Sequence, residues 1–500
     1  MTTILYHGNI YVQQGQFVEA LLIEDNLIQM IGSNEEVLNH APKGVTRIDL
    51  EGRTVLPGFN DSHMHLQMVG RDMQTVNLYG AASIDEVIRR GRAFLSEHPV
   101  PAGSILNGSG WNQDYFSDEV RLLNRHDLDQ ISTEHILIFT RACGHVLTAN
   151  TLAIQTAGVT AETLQPTSGH FDTEADGTSN GIFRESANSL IYRLQPTENL
   201  AAIMHSLNLA MDYAASQGIT SVQTMDVNSN NTETMLAAYT ETLAERPTLR
   251  VYHQCNITTM DALHAFAAKG HLTGKVSGLQ TIGPIKLFMD GSLGARTALM
   301  RQPYADDPST SGIQCVDQAE LNQLVAEANH LGFQVTAHAI GDGAIELILN
   351  AYDVALQNGQ NPLRNGVVHC QITDPVQLLR FLANDILAQV QPIFLHYDLH
   401  IVRERVGSQL ADTSYAFGSM HQMGIHVSFG TDSPVENMNP FHNIYCAVTR
   451  RDLNGSAPYN LSEGYTVADA IDAYTIESAY VSFEENKKGR LQPGFLADLV

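Results

Sequence analysis

Two histidines one residue apart, His63 and His65, close the stretch Pro57-Gly58-Phe59-Asn60-Asp61-Ser62-His63-Met64-His65. The apolar, β-favouring run Thr54-Val55-Leu56 leads into it, so the pair is expected at the end of a strand over residues 55–65. On a strand, residues i and i+2 face the same side. Two imidazoles converging at a strand end make half of a site for zinc or a similar divalent ion. Alone, the pair is a weak signal, because 21 histidines are spread over 500 residues. The other half must come from polar residues that other strands carry to the same point. Four candidates stand on apolar runs: Lys286 in Pro284-Ile285-Lys286-Leu287-Phe288, His338 in Val335-Thr336-Ala337-His338-Ala339, His369 in Gly366-Val367-Val368-His369, and Asp432 after Val427-Ser428-Phe429-Gly430-Thr431. A single histidine in such a run is more often a core or loop residue than a ligand. Four imidazoles, a lysine and a carboxylate at successive strand ends do not fit that bland reading.

Something must bring these ends together. Eight strand-like runs occur, over residues 55–65, 219–225, 249–256, 284–290, 333–340, 366–370, 386–392 and 426–432. Amphipathic segments such as 320–331, 344–357 and 374–382 lie between them. Eight strand–helix units predict an α/β fold, a parallel (β/α)8 TIM-type barrel with its active site at the C-terminal strand ends. Residues 70–215 are too long for one crossover and are expected as an insertion over the barrel mouth. Residues 1–56 read as short strands broken by Gly and Asn turns. With residues 487–500 they predict a small β-sandwich built from both termini, leaving 57–486 for the barrel. The sequence stops inside its last strand, so further residues are expected to complete the small domain.

The net charge of −26 argues against nucleic acid and anionic membranes as partners, since both would repel it. A composition of 43% hydrophobic and 16% charged residues is that of a globular protein with an ample core. The five cysteines are scattered, odd in number and form no C-x-x-C pair, which fits free thiols in a reducing compartment. With no basic start before an apolar core and no long apolar run, a cytoplasmic location is expected. A small-molecule substrate is the expected partner. Association into homo-oligomers stays open.

The chain resembles the amidohydrolase superfamily, and within it the metal-dependent amidohydrolase 3 group that includes the N-substituted formamide deformylases. The stretches that carry this are Pro57-Gly58-Phe59 with Asp61-Ser62-His63-Met64-His65, Gly108-Ser109-Gly110-Trp111, Gly144-His145, Gly181-Ile182-Phe183-Arg184-Glu185-Ser186-Ala187, residues 286–298, His338-Ala339-Ile340-Gly341-Asp342-Gly343-Ala344, and Thr431-Asp432-Ser433-Pro434-Val435. The stretches at 286–298 and 338–344 are particular to the group, whereas the His pair marks only the superfamily. Val367-Val368 stand where the group usually has Ile-Glu, and Thr431 where Ser is usual.

The resemblance implies hydrolysis of a carbon–nitrogen bond, with one or two divalent ions, zinc first, held by His63, His65, Lys286, His338, His369 and Asp432. Asp432 is the expected proton shuttle, and Lys286 and His338 join it as the catalytic set. A free ammonium beside divalent cations is unfavourable. A neutral Lys286 amine would add carbon dioxide, and the carbamate would bridge two ions. The alternative is a Lys286 paired with Asp290 or another carboxylate beside a single ion. Trp111, His145, Glu185 and Asp290 are the substrate-contact candidates. Trp111 could equally sit in a small core of the insertion. A ligand-sensing or regulatory protein on the same scaffold, an esterase, a lactonase or a deaminase are the competing readings.

Overall fold

The chain breaks at Pro57-Gly58, and the run read as one strand serves two sheets. Thr54–Val55 pairs in parallel with Asn9 and Ile10, and Phe59–Met64 starts a separate, parallel sheet. The turn needs Gly58: a Cβ there would lie 2.3 Å from the Thr220 hydroxyl. The computed structural model describes residues 2–40, 42, 44–141, 146–166, 169–195, 199–356 and 359–500. The chain forms two units, Met1–Met68 with Leu207–Val500, and Val69–Ser206.

The first unit holds the barrel. Its strands are β1 (Phe59–Met64), β2 (Ile219–Thr224), β3 (Arg250–Cys255), β4 (Gln280–Phe288), β5 (Val335–Ala339), β6 (Gly366–His369), β7 (Leu387–Val390) and β8 (Val427–Phe429). They pair in parallel in sequence order, and only the short strand Val276–Ser277 joins antiparallel, against β4. Every residue of β1, β6, β7 and β8 is buried, as expected where helices cover one face of a parallel sheet and the interior the other. Just past the end of β8, the Asp432 N–H donates to His63 O (2.8 Å) and the His65 N–H to Ser433 O (2.8 Å). This seam brings β8 against β1 and requires Gly430, whose Cβ would stand 2.6 Å from the His63 nitrogen.

The same unit carries the small β-sandwich. A four-stranded sheet contains Thr2–Tyr6, Ala20–Glu24, Leu27–Gly32 and Thr46–Asp49, and a three-stranded one Asn9–Gln13, Gln16–Val18 and Thr54–Val55. Alternation sorts the side chains. Leu5 and Leu21 pack with Ile10 and Val55 of the facing sheet, while Ile4, Ala20 and Leu22 pack with Val37 of helix Asn34–His40. The C-terminal segment joins the sandwich through Ile28 N–H to Phe495 O (2.8 Å) and Leu56 N–H to Val500 O (2.9 Å).

The second unit is a six-stranded sheet of Val76–Asn77, Ile105–Trp111, Ile136–Arg141, Val146–Ala149, Ser179–Glu185 and Gly169–Thr173. Along Ile136–Arg141, Leu137 and Phe139 face one core, with Ile84, Val87 and Ile88 of helix Ile84–Glu97, and Ile136 and Ile138 face the other, with Phe171 and Phe183. Among the described residues, no helix is long and apolar enough to cross a membrane, and Cys255, Cys315, Cys370 and Cys446 are free thiols.

Candidate metal centre

The barrel gathers the strand-end residues at one place. His63 is the penultimate residue of β1, and its Nε2 lies 3.4 Å from Asp432 Oδ1. His65 follows the strand, with its Nε2 3.1 Å from the same oxygen. At 3.1 Å His65 Nε2 is within hydrogen-bond distance of Asp432, and both separations also suit ligands to a common ion, since two atoms bound tetrahedrally to one zinc at 2.0–2.1 Å would stand about 3.3 Å apart. His369 closes the group: one ligand atom each from His63, His369 and Asp432 lie within 4.8 Å of one another. Its ring is 5.6 Å from that of His63 and 4.4 Å from that of His338. His369 and Asp432 both have positive φ (83° and 56°), a bend uncommon outside glycine that Asp and His tolerate better than most, and it sits at the strand ends of the site.

Each imidazole has one nitrogen committed. His63 Nδ1–H donates to Gln254 Oε1 (2.6 Å), His369 Nδ1–H to Gln391 Oε1 (2.7 Å) and His65 Nδ1–H to Met225 O (3.3 Å). His338 is the reverse, its Nε2–H donating to Gly291 O (3.0 Å) and leaving Nδ1 with the lone pair. Burial pushes His63 well below the usual imidazole range, helped by Lys286, His65 and His369. Burial does the same to His369, with His338 and Lys286 adding to it. For His65 burial also opposes charge, but the Asp432 carboxylate prevails and its pKa is raised. Neutral imidazoles with a free lone pair are the form that binds metal.

Lys286, on β4, is fully buried, and its Nζ has no hydrogen-bond partner. Burial brings its pKa down to about 7, against the opposing pull of Asp432 and Cys370. An orphaned amine among imidazoles and a carboxylate is a donor set that fits a divalent centre. It does not pair with Asp290. That carboxylate accepts from the backbone N–H groups of Leu299 (2.9 Å), Ile340 (3.1 Å) and Gly341 (2.8 Å), and stands 3.3 Å from His338 Nε2. Asp290 therefore ties the loops after β4 and β5 together. Asp61, unread in the sequence, does likewise for β1 and β8. It accepts from the Thr431 hydroxyl (2.6 Å), the Thr431 N–H and the His63 N–H, and burial pushes its carboxyl up to about 7. Thr431 thus supplies the hydroxyl expected of a serine there.

The other candidates lie in the second unit. Trp111 is fully buried in that unit's own core, its indole N–H donating to Phe139 O (3.2 Å), so the core alternative describes it and the pocket-wall expectation does not. Glu185 is exposed at the end of its strand, with φ 52°. His145 falls outside the described residues.

A family model described as the amidohydrolase family matches residues 46–500. The chain is 30% identical over 510 residues to the putative amidohydrolase YtcJ of Bacillus subtilis, covering 100% of this chain and 93% of that one. It is 24% identical over 498 residues to the N-substituted formamide deformylase of Arthrobacter pascens, covering 96% and 89%. The crystal structure of an uncharacterized metal-dependent hydrolase from Pyrococcus furiosus superposes with a TM-score of 0.81 at 29% identity, covering 100% of this chain and 98% of that one.

Proposed function

The chain belongs to the amidohydrolase family of metal-dependent hydrolases, and we propose that it cleaves a non-peptide carbon–nitrogen bond in a small molecule, an N-acyl or N-formyl amine. The observation that carries the metal chemistry is the convergence of His63 and His65 Nε2 on one oxygen of Asp432, at 3.4 and 3.1 Å. The substrate class is supported by the likeness to a formamide deformylase.

In this reading His63, His65 and Asp432 would hold one divalent ion, zinc, and His338 and His369 would hold a second, with Lys286, as a carbamate, a further ligand. When bound, the ions supply Lewis acidity that eases ionisation of water and polarises a carbonyl. The chain's own residues do the rest. Gln254 and Gln391 fix the tautomers of His63 and His369 that leave Nε2 free, and Met225 O takes the Nδ1–H of His65. Burial near pKa 7 keeps much of the Lys286 amine neutral, the form that adds carbon dioxide with loss of one proton. Asp432, held by its N–H on His63 O, accepts the proton of the attacking water and delivers it to the nitrogen as the carbon–nitrogen bond breaks. An acid and an amine result. His145 and Glu185 remain substrate-contact proposals on the strength of their motifs; His145→Ala or Glu185→Gln should raise KM more than it lowers kcat.

The test is a screen of N-formyl and N-acyl amines, with esters as controls, on protein of measured metal content. Amine release that scales with bound metal is the expected result. Turnover of esters alone would overturn the assigned bond, and full activity in metal-stripped protein would overturn the centre.

A further inference from the structure

We infer that Gln254 and Gln391 are positioning residues of the metal centre, each amide carbonyl locking one ligand imidazole into the tautomer whose Nε2 is free. The inference rests on the metal reading above and adds what sets the ligands in place. Both glutamines are buried, at 0% and 1% exposure. Gln254 Oε1 accepts from His63 Nδ1–H and Gln391 Oε1 from His369 Nδ1–H. The amides cannot flip without loss, because their other ends are also engaged. Gln254 Nε2 donates to Ser62 O (3.0 Å), and Gln391 Nε2 to Gln389 O (3.2 Å). A flip would set oxygen against oxygen at both places.

The two amides belong to one buried ladder. Gln389 Nε2 donates to the same Ser62 O (2.8 Å), and its Oε1 accepts from the Thr336 hydroxyl (2.6 Å). Side chains from β3 and β7 therefore meet at the carbonyl that precedes His63, Thr336 of β5 joins through Gln389, and the residue after β7 reaches His369 at the end of β6. A satisfied polar network in a low-dielectric interior is stiff, and each of its members is costly to lose. The acceptors are neutral, and this matters chemically. Ligating histidines usually rest on a carboxylate, a backbone carbonyl or water. A carboxylate facing Nδ1 would favour the imidazolium, which cannot ligate, and would add a buried charge. An amide fixes the tautomer and adds no charge.

The experiment uses the whole chain labelled with 15N-histidine, together with zinc affinity from competition with a chelator. The wild-type spectrum should show slowly exchanging Nδ1–H signals for the two buried imidazoles, His63 and His369. Gln254→Met and Gln391→Met keep the side-chain volume but remove the acceptor. Each should lose one signal and weaken zinc binding on the order of 10–100-fold. Absence of the two signals in the wild-type protein overturns the inference whether or not the variants fold, as does unchanged zinc affinity in folded variants. Signals present in a wild-type chain that takes up no zinc would end the metal reading and leave the tautomer assignment standing, so the two failures are told apart.

Discussion

At the scale of single residues, Asp432 and Lys286 do different work, and their variants should separate cleanly. Asp432→Asn keeps the size and one oxygen but loses the ability to take a proton from water. It should retain metal and lose turnover on the order of 10²-fold or more, read by metal analysis beside a rate assay. A near-normal rate would mean that another group moves the proton. Lys286→Ala should lose one of two ions, and added short carboxylic acids should restore part of the activity by filling the gap left by the carbamate. Unchanged metal content in that variant would instead favour a single-ion site. The six candidate ligands are legible as polar side chains within or at the end of apolar runs, and His63, His369 and Asp432 come within ligand distance of one another. Gln254, Gln389 and Gln391 give the same signal, in Tyr252-His253-Gln254-Cys255 and Leu387-Ala388-Gln389-Val390-Gln391. They went unread because an amide is neither a usual ligand nor a titrating group. Asp61 went unread because its partners, the Thr431 hydroxyl and two backbone N–H groups, come together only when β8 closes on β1.

At the scale of elements, periodicity located all eight barrel strands, but their ends moved by a few residues. The run at 55–65 was split because Pro57 lacks an N–H to donate and Gly58 allows the chain to pass Thr220. The sheet of the second unit escaped notice. Its strands are short, and helix Ile84–Glu97, with apolar residues at 84, 87 and 88 and Ser83 capping Glu86 N–H, was the stronger pattern. Trp111 shows what that sheet does. As the only tryptophan, fully buried and hydrogen-bonded to Phe139 O, it should emit at short wavelength and resist acrylamide quenching until the second unit unfolds. Trp111→Ala should destabilise that unit by about 3–5 kcal/mol. Trp111→Phe should cost less and leave KM nearly unchanged, whereas a large rise in KM with unaltered melting would return Trp111 to the substrate.

At the scale of the whole molecule, the proposed centre would fasten distant parts of the chain. Its residues run from His63 to Asp432 and stand at the ends of β1, β4, β5, β6 and β8. The seam between β8 and β1 holds by few links beyond the strands: Asp432 N–H to His63 O, His65 N–H to Ser433 O, and the Thr431–Asp61 contacts. A divalent ion on His63, His65 and Asp432 would clamp that seam, because it binds the folded arrangement and finds no equivalent in the unfolded chain. Binding of that kind stabilises by about 4 kcal/mol when the free ion exceeds its dissociation constant a thousandfold. Dialysis against a chelator should therefore lower the melting temperature by several degrees, and zinc should restore it. The loss should also be local. In metal-free protein, hydrogen exchange should rise first at the amides of His65 and Asp432 and along β1 and β8, while Val367, Val368 and the other inner amides of β6 keep their protection longer. Identical melting and exchange with and without the ion would show that the barrel closes by its own packing and that the six residues hold no structural metal.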